Sequence, residues 1–206
     1  MPTPGRKRRA LTDRASHTRL WLTAFAGVLL DLVSKSLAWQ RLGAPAVSAA
    51  RGEPHELLAG WLRLVTSRNP GIVFGIDPAK DFSLGVTGGR AVTILLTLAT
   101  SALIFYVFAR SRPDQKFMHV WCALVLAGAV GNLYDRLAFG YVRDFVEITK
   151  QVSLGRWTFG WPYVFNVADV YLVAGVLAIA LVCLFTGEEG GAPADTRKAQ
   201  QREPRP

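Results

Sequence analysis

Residues 91–109 read AVTILLTLATSALIFYVFA, a run without one charged side chain. At about 1.5 Å per helical residue, a stretch of this length covers close to the roughly 30 Å of hydrocarbon in a bilayer. Three further apolar blocks flank it, at about Leu20–Trp39, Phe117–Leu137 and Val164–Phe185. None alternates apolar and polar residues in the ten-residue pattern of a barrel strand. The chain therefore reads as an all-α integral membrane protein with four transmembrane helices.

Composition agrees. Half of the 206 residues are apolar and the mean hydropathy is +0.23, although 19% are charged. The charges lie between and around the apolar blocks, and that segregation points to a bilayer. The formal charge is +9, and many of the basic residues lie before the first block (Arg6–Arg9, Arg14, Arg19), between the second and third (Arg110, Arg112, Lys116), and in the tail (Arg197, Lys198, Arg202, Arg205). Lys and Arg accumulate in cytoplasmic loops, so both termini are expected in the cytoplasm. No aromatic-rich basic segment offers a nucleic-acid surface, and no such partner is expected. Cys122 and Cys183 fall inside apolar blocks and form no C-x-x-C pair. They read as small buried hydrophobes.

One domain is expected over 20–186, between a disordered basic cytoplasmic tail at 1–19 and a disordered cytoplasmic tail at 187–206. The first block follows a basic start like a secretory signal, but Asp31 and Lys35 inside it argue for a retained anchor helix. Two connections then face outward. The segment at about 40–90 carries alternation at Trp61–Thr66 and the turn former Asn69-Pro70-Gly71, so a small extracytoplasmic β-rich structure is expected there. The second connection, Ala138–Tyr163, contains Tyr141–Val146.

Ionisable groups in membrane helices are costly, which makes them functional candidates. Here their depths converge. Asp31, Lys35, Asn132, Asp135 and Arg136 lie toward the outer ends of the first and third helices, and Asn166 and Asp169 near the outer start of the fourth. Asp169 falls only about 7–8 Å below the expected boundary, and Asp144 follows the third helix closely. A purely structural polar cluster is the competing account for Asp31, Lys35 and Asp135, since Asp31 and Lys35 at i,i+4 can neutralise each other. Asp144 and Asp169 have no adjacent base and fit chemistry better. Two close carboxyls cannot both ionise easily, so they share a proton. One can then activate water while the other protonates the substrate. No G-x-S-x-G, S-x-x-K or H-E-x-x-H occurs, and neither metal nor cofactor is expected. An ion-coupled transporter would need polar groups at several depths, but the inner halves of the blocks carry no charge. A non-catalytic assembly factor would not need a matched pair of acids.

Five stretches complete the reading: Asp31-Leu32-Val33-Ser34-Lys35, Asn69-Pro70-Gly71-Ile72-Val73-Phe74, Gly131-Asn132-Leu133-Tyr134-Asp135-Arg136, Tyr141-Val142-Arg143-Asp144-Phe145 and Phe165-Asn166-Val167-Ala168-Asp169. In order and spacing the chain resembles lipoprotein signal peptidase, the signal peptidase II family. The resemblance implies a four-helix aspartyl endopeptidase of the bacterial inner membrane, with a β-cradle and its active site at the outer face. Such an enzyme cuts the signal peptide from diacylglyceryl-modified prolipoproteins just before the lipidated cysteine. By the family's pattern Asp144 and Asp169 would be catalytic, and Asn69, Gly71, Asn132, Arg136 and Asn166 would bind substrate or orient the pair. Asp31, Lys35 and Asp135 would support the site. Partners would be lipid-modified prolipoproteins and membrane lipid, and a monomer is expected. Val73 stands where the family has a smaller residue and Leu32 where a polar one is frequent.

Overall fold

The computed structural model describes residues 9–46, 49, 51–71 and 76–187. The expected tails at 1–8 and 188–206 lie outside the described residues, as do Ile72, Val73 and Phe74. Four helices are long and apolar enough to cross a membrane: α1 (Arg14–Leu42), α3 (Gly85–Arg110), α4 (Lys116–Ala138) and α5 (Val167–Gly187). A one-turn helix, α2 (Pro78–Asp81), precedes α3.

Helix boundaries differ from the apolar blocks for local reasons. Asp13 caps α1, accepting from the Ser16 N–H at 2.8 Å and from its hydroxyl at 2.7 Å. The helix thus begins six residues before Leu20, and residues 14–19, expected in a disordered tail, form its first turns. Hydropathy registers the lipid-facing part of a helix, not its polar, capped extension. At the fourth block, Val164 and Phe165 pair as a strand, so α5 starts at Val167 instead of Val164.

Helix α4 is the hub and packs against α1, α3 and α5. Of its most apolar stretch 61% is buried in protein, against 17% for α3 and for α5, which face lipid. Small residues allow this. A Cβ on Gly128 would stand 2.5 Å from the Ala168 carbonyl oxygen, and one on Gly27 would stand 2.8 Å from Ala127 Cβ. A Cβ on Gly131 would run into the Asp31 carboxylate. Close backbone approach of this kind drives helix association where hydrophobicity cannot.

The fold is not all-α. Strands β1 (His55–Leu58), β2 (Leu62–Asn69), β3 (Val142–Ile148) and β6 (Val164–Phe165) form an antiparallel sheet in the order β1-β2-β3-β6. A separate hairpin joins β4 (Val152–Leu154) to β5 (Trp157–Phe159). Among the described residues, the expected β-rich segment at 40–90 supplies β1 and β2; β3 comes from the second connection and β6 from the start of the fourth apolar block. Strand β3 is seven residues long and its partner lies far back in the chain, so its own pattern is a weak signal. The C-terminal ends of α1 and α4 and the N-terminal ends of α3 and α5 all run into this region. The sheet therefore caps one end of the bundle. At the other end, Ala10 N–H donates to Ser111 O at 2.9 Å, and the buried His119 ring bridges Arg19 at 2.7 Å and Ser111 at 3.0 Å.

Gly131→Ala is expected to lower stability by about 1–3 kcal/mol, the usual cost of overpacking a tight contact. Thermal unfolding in detergent micelles measures this, and an unchanged midpoint would contradict the close α1–α4 contact.

Candidate active site

The start of α5 is built to aim a carboxylate. Asn166 occupies the N-cap and Asp169 the third helical position. The Asp169 N–H donates to Asn166 Oδ1 at 3.1 Å, and the Asn166 N–H donates to Asp169 Oδ2 at 3.0 Å. This reciprocal arrangement is a capping box. It turns the Asp169 side chain back over the helix end, away from lipid, where the helix dipole favours negative charge. Asn132 of α4 completes the hold, donating from Nδ2 to Asp169 Oδ1 at 2.9 Å.

Asp144 reaches the same place from mid-strand in β3 and is 1% exposed. Its Oδ1 accepts from Asn166 Nδ2 at 2.6 Å and its Oδ2 from Asn69 Nδ2 at 2.9 Å. Asn166 thus touches both acids, and both line one cavity of about 230 Å³. Burial first, and the Asp169 carboxylate second, hold the Asp144 carboxyl above the ordinary carboxylate range; the two asparagine amides only partly oppose this.

Asn69 ends β2, and its Oδ1 accepts from the Gly71 N–H at 2.9 Å. Arg136 donates from Nη2 to Gly71 O at 2.7 Å and from Nη1 to Asn132 O at 3.3 Å. Glycine is required in this turn: a Cβ on residue 71 would lie 2.5 Å from the Ile76 carbonyl oxygen.

Beneath the acids sits a second, buried polar layer. Lys35 Nζ donates to Asp31 Oδ2 and to Asn132 Oδ1, each at 2.8 Å, and stands 3.5 Å from Asp135 Oδ2. The remaining Asp31 oxygen accepts from the Ala168 N–H of α5 at 3.0 Å. Asp135 takes three hydrogen bonds from Arg143, one from its backbone N–H at 2.9 Å and two from its guanidinium at 2.8 and 3.1 Å. The expected neutralisation of Asp31 by Lys35 is present, and it is one part of a network that also takes in Asn132, Asp135 and Arg143.

All ten candidate residues fall in this one region. Asp144 and Asp169 meet; Asn69, Asn132 and Asn166 bond directly to them; Arg136 and Gly71 brace the turn; Asp31, Lys35 and Asp135 form the layer below. Arg143 was missed as a site residue. Its signal was strand alternation, because a neighbour of Asp144 in a strand must face the opposite way, toward Asp135. Among the described residues, no group of three or more His, Cys, Asp or Glu side chains could hold a metal ion.

The chain is similar to known proteins over most of its length. The chain is 30% identical over 163 residues to the lipoprotein signal peptidase of Clostridium novyi, covering 79% of this chain and 95% of that one. It is 32% identical over 163 residues to that of Chlorobium phaeobacteroides, covering 78% and 92%. A bacterial membrane enzyme solved by the in meso method at 2.3 Å superposes with a TM-score of 0.64 at 26% identity, over 84% of this chain and 92% of that one. The family model described as signal peptidase (SPase) II matches residues 23–185. With more than three quarters of its length matched, the chain belongs to the signal peptidase II family.

Proposed function

We propose that Asp144 and Asp169 are the catalytic pair of an aspartic endopeptidase that removes signal peptides from diacylglyceryl-modified prolipoproteins, before the lipidated cysteine. The observation that carries this reading is the sharing of Asn166 by two carboxyls that open on one cavity. In the surrounding cluster, Asp31, Asp135, Asp144 and Asp169 face Lys35, Arg136 and Arg143. Four acids against three basic groups balance when one further proton is present, and the raised Asp144 carboxyl supports its residence on the pair.

The chemistry follows from that proton. The ionised acid takes a proton from a water molecule as its oxygen attacks the scissile carbonyl carbon, and the protonated acid gives its proton to the carbonyl oxygen. The tetrahedral intermediate collapses when the amide nitrogen receives the proton first taken from water, the C–N bond breaks, and a hydroxyl of the intermediate returns its proton to the other acid as the carbonyl re-forms. One proton then remains on the pair, ready for another turnover. Asn69, Asn132 and Asn166 orient the acids. Arg136 braces the Gly71 turn, and its Nε, buried without a hydrogen-bond partner among the described residues, remains a donor for the substrate backbone.

The cavity suits a substrate that is part lipid. Leu172 and Val173 of α5 form an apolar wall, while Arg51, Ser67 and Arg68 form a polar one. Acyl chains and signal helix stay in the bilayer against the first, and the scissile bond stays beside the acids. We place the protein in the bacterial inner membrane as a monomer, with both termini in the cytoplasm and the sheet and acid pair at the outer face. The basic segments before α1 and between α3 and α4 support that orientation.

Asp144→Asn and Asp169→Asn are each expected to reduce cleavage of a lipidated precursor at least about 100-fold while the protein stays inserted and folded; near-normal turnover by either variant would exclude the pair. Lys35→Ala leaves two buried carboxylates short of a counter-charge and is expected to cost about 3–5 kcal/mol of stability, read as a fall in the unfolding midpoint.

pH gives a further check. A raised carboxyl in the folded state binds its proton more tightly than the unfolded chain does. Stability therefore falls as pH climbs from the ordinary carboxyl range through the raised value. Activity should decline on the alkaline side as the pair gives up its last proton. A flat rate profile and a pH-independent midpoint would both contradict a shared proton.

A further inference from the structure

The polar wall of the cavity has a charge pattern that the catalytic reading leaves unused. Arg51 pairs across the sheet edge with Ser67, and Ser67 is the register partner of Asp144. The three residues thus follow one another in a single row. With adjacent strands about 4.8 Å apart, the Arg51 backbone lies roughly 10 Å from that of Asp144. Both residues line the same cavity, together with Arg68.

The Arg51 guanidinium is held but not used up. Nη1 donates to Glu147 Oε1 at 2.8 Å and Nη2 to the Pro162 carbonyl at 3.3 Å, while 46% of the side chain is exposed. A guanidinium carries five N–H donors, so several remain for a ligand. Glu147 is shared, because its other oxygen accepts from Arg63 Nε at 2.5 Å; these two guanidiniums hold the Glu147 carboxyl below its ordinary range, with the Arg63 hydrogen bond foremost. Arg68 stacks on Tyr141 at 5.5 Å and donates to Pro45 O, and it makes no ion pair with a described carboxylate. Lys150 lies over the Trp61 ring at 5.0 Å. Arg51 and Arg68 are the cations that line the cavity of the acid pair, while Arg63 and Lys150 line a neighbouring cavity beside Glu147.

We propose that Arg51 makes this enzyme favour precursors carrying acidic residues directly after the lipidated cysteine. The proposal rests on the peptidase reading given above. A substrate anchored by acyl chains and a signal helix has only one water-facing part near the scissile bond, the segment following the cysteine. That segment must leave along the polar wall, since the opposite wall is Leu172 and Val173. An extended peptide advances about 3.3 Å per residue, so the roughly 10 Å from Asp144 to Arg51 corresponds to the second and third residues of the released protein. A carboxylate there meets the free donors of Arg51, whereas a lysine meets repulsion.

The test uses the full-length enzyme and three lipidated precursors that differ only at the two positions after the cysteine: Asp-Asp, Ser-Ser and Lys-Lys. In uncharged detergent, kcat/KM for the Asp-Asp precursor is expected to exceed that for Lys-Lys by about three- to tenfold, chiefly through KM. The ratio should fall toward one in about 0.5 M salt. Arg51→Gln should bring it near one at low salt, and Arg51→Lys should retain it. Equal rates for the Asp-Asp and Lys-Lys precursors in the wild-type enzyme would overturn the proposal even if the variants failed to fold, and so would an unchanged ratio in Arg51→Gln. Failure to cut any of the three would remove the peptidase reading itself, whereas cleavage without charge preference would remove only the role of Arg51.

Discussion

The architecture depends on one buried ammonium. Lys35 is inaccessible to solvent inside a helix bundle, an environment in which an isolated charge costs several kcal/mol. It is tolerated because Asp31, Asn132 and Asp135 receive it from three directions. Those contacts lock α1 to α4 at one depth, and the Asp31–Ala168 bond extends the lock to α5. The acids above inherit this rigidity. Asn132 accepts from Lys35 and donates to Asp169, so a single side chain carries the position of the ammonium into the candidate site.

The two polar layers have different electrostatic characters. In the lower one, Asp31 and Asp135 against Lys35 and Arg143 balance without a mobile proton. In the upper one, two carboxyls are held mainly by neutral asparagine amides, which leaves their charge state free to change. The lower layer pairs its charged groups directly, whereas the upper one leaves its acids to neutral donors.

Much of this was legible in the amino-acid sequence. The membrane helices follow from blocks such as 91–109, and the depth of Asp31, Lys35, Asp135 and Asp169 follows from their places in those blocks. The Asn166-x-x-Asp169 spacing is itself a capping signal, although hydropathy carried the helix start past it. The sheet was only half legible. β2 shows alternation and a turn, but β3 acquires its meaning from a partner about 75 residues earlier, and register across that gap leaves no local mark. Arg143 illustrates the same limit, because its purpose is clear only once Asp135 is known to lie behind the strand. The Arg51–Ser67–Asp144 row is a pure product of tertiary pairing.

The four-residue spacing of Asp31 and Lys35 also bears on biogenesis. During synthesis α1 enters the bilayer before Asn132, Asp135 and the Ala168 amide exist. A lone aspartate or lysine would oppose insertion by about 2.5–3.5 kcal/mol near the helix centre. Because the two side chains meet on one face of the same helix, the newborn segment carries its own counter-ion and can wait in lipid as a neutral rod. When α4 arrives, Asn132 and Asp135 join an ammonium already screened by Asp31. Asp169 sits on α5, the last in order of the four described membrane-length helices, so the candidate pair cannot assemble until that helix has entered the membrane.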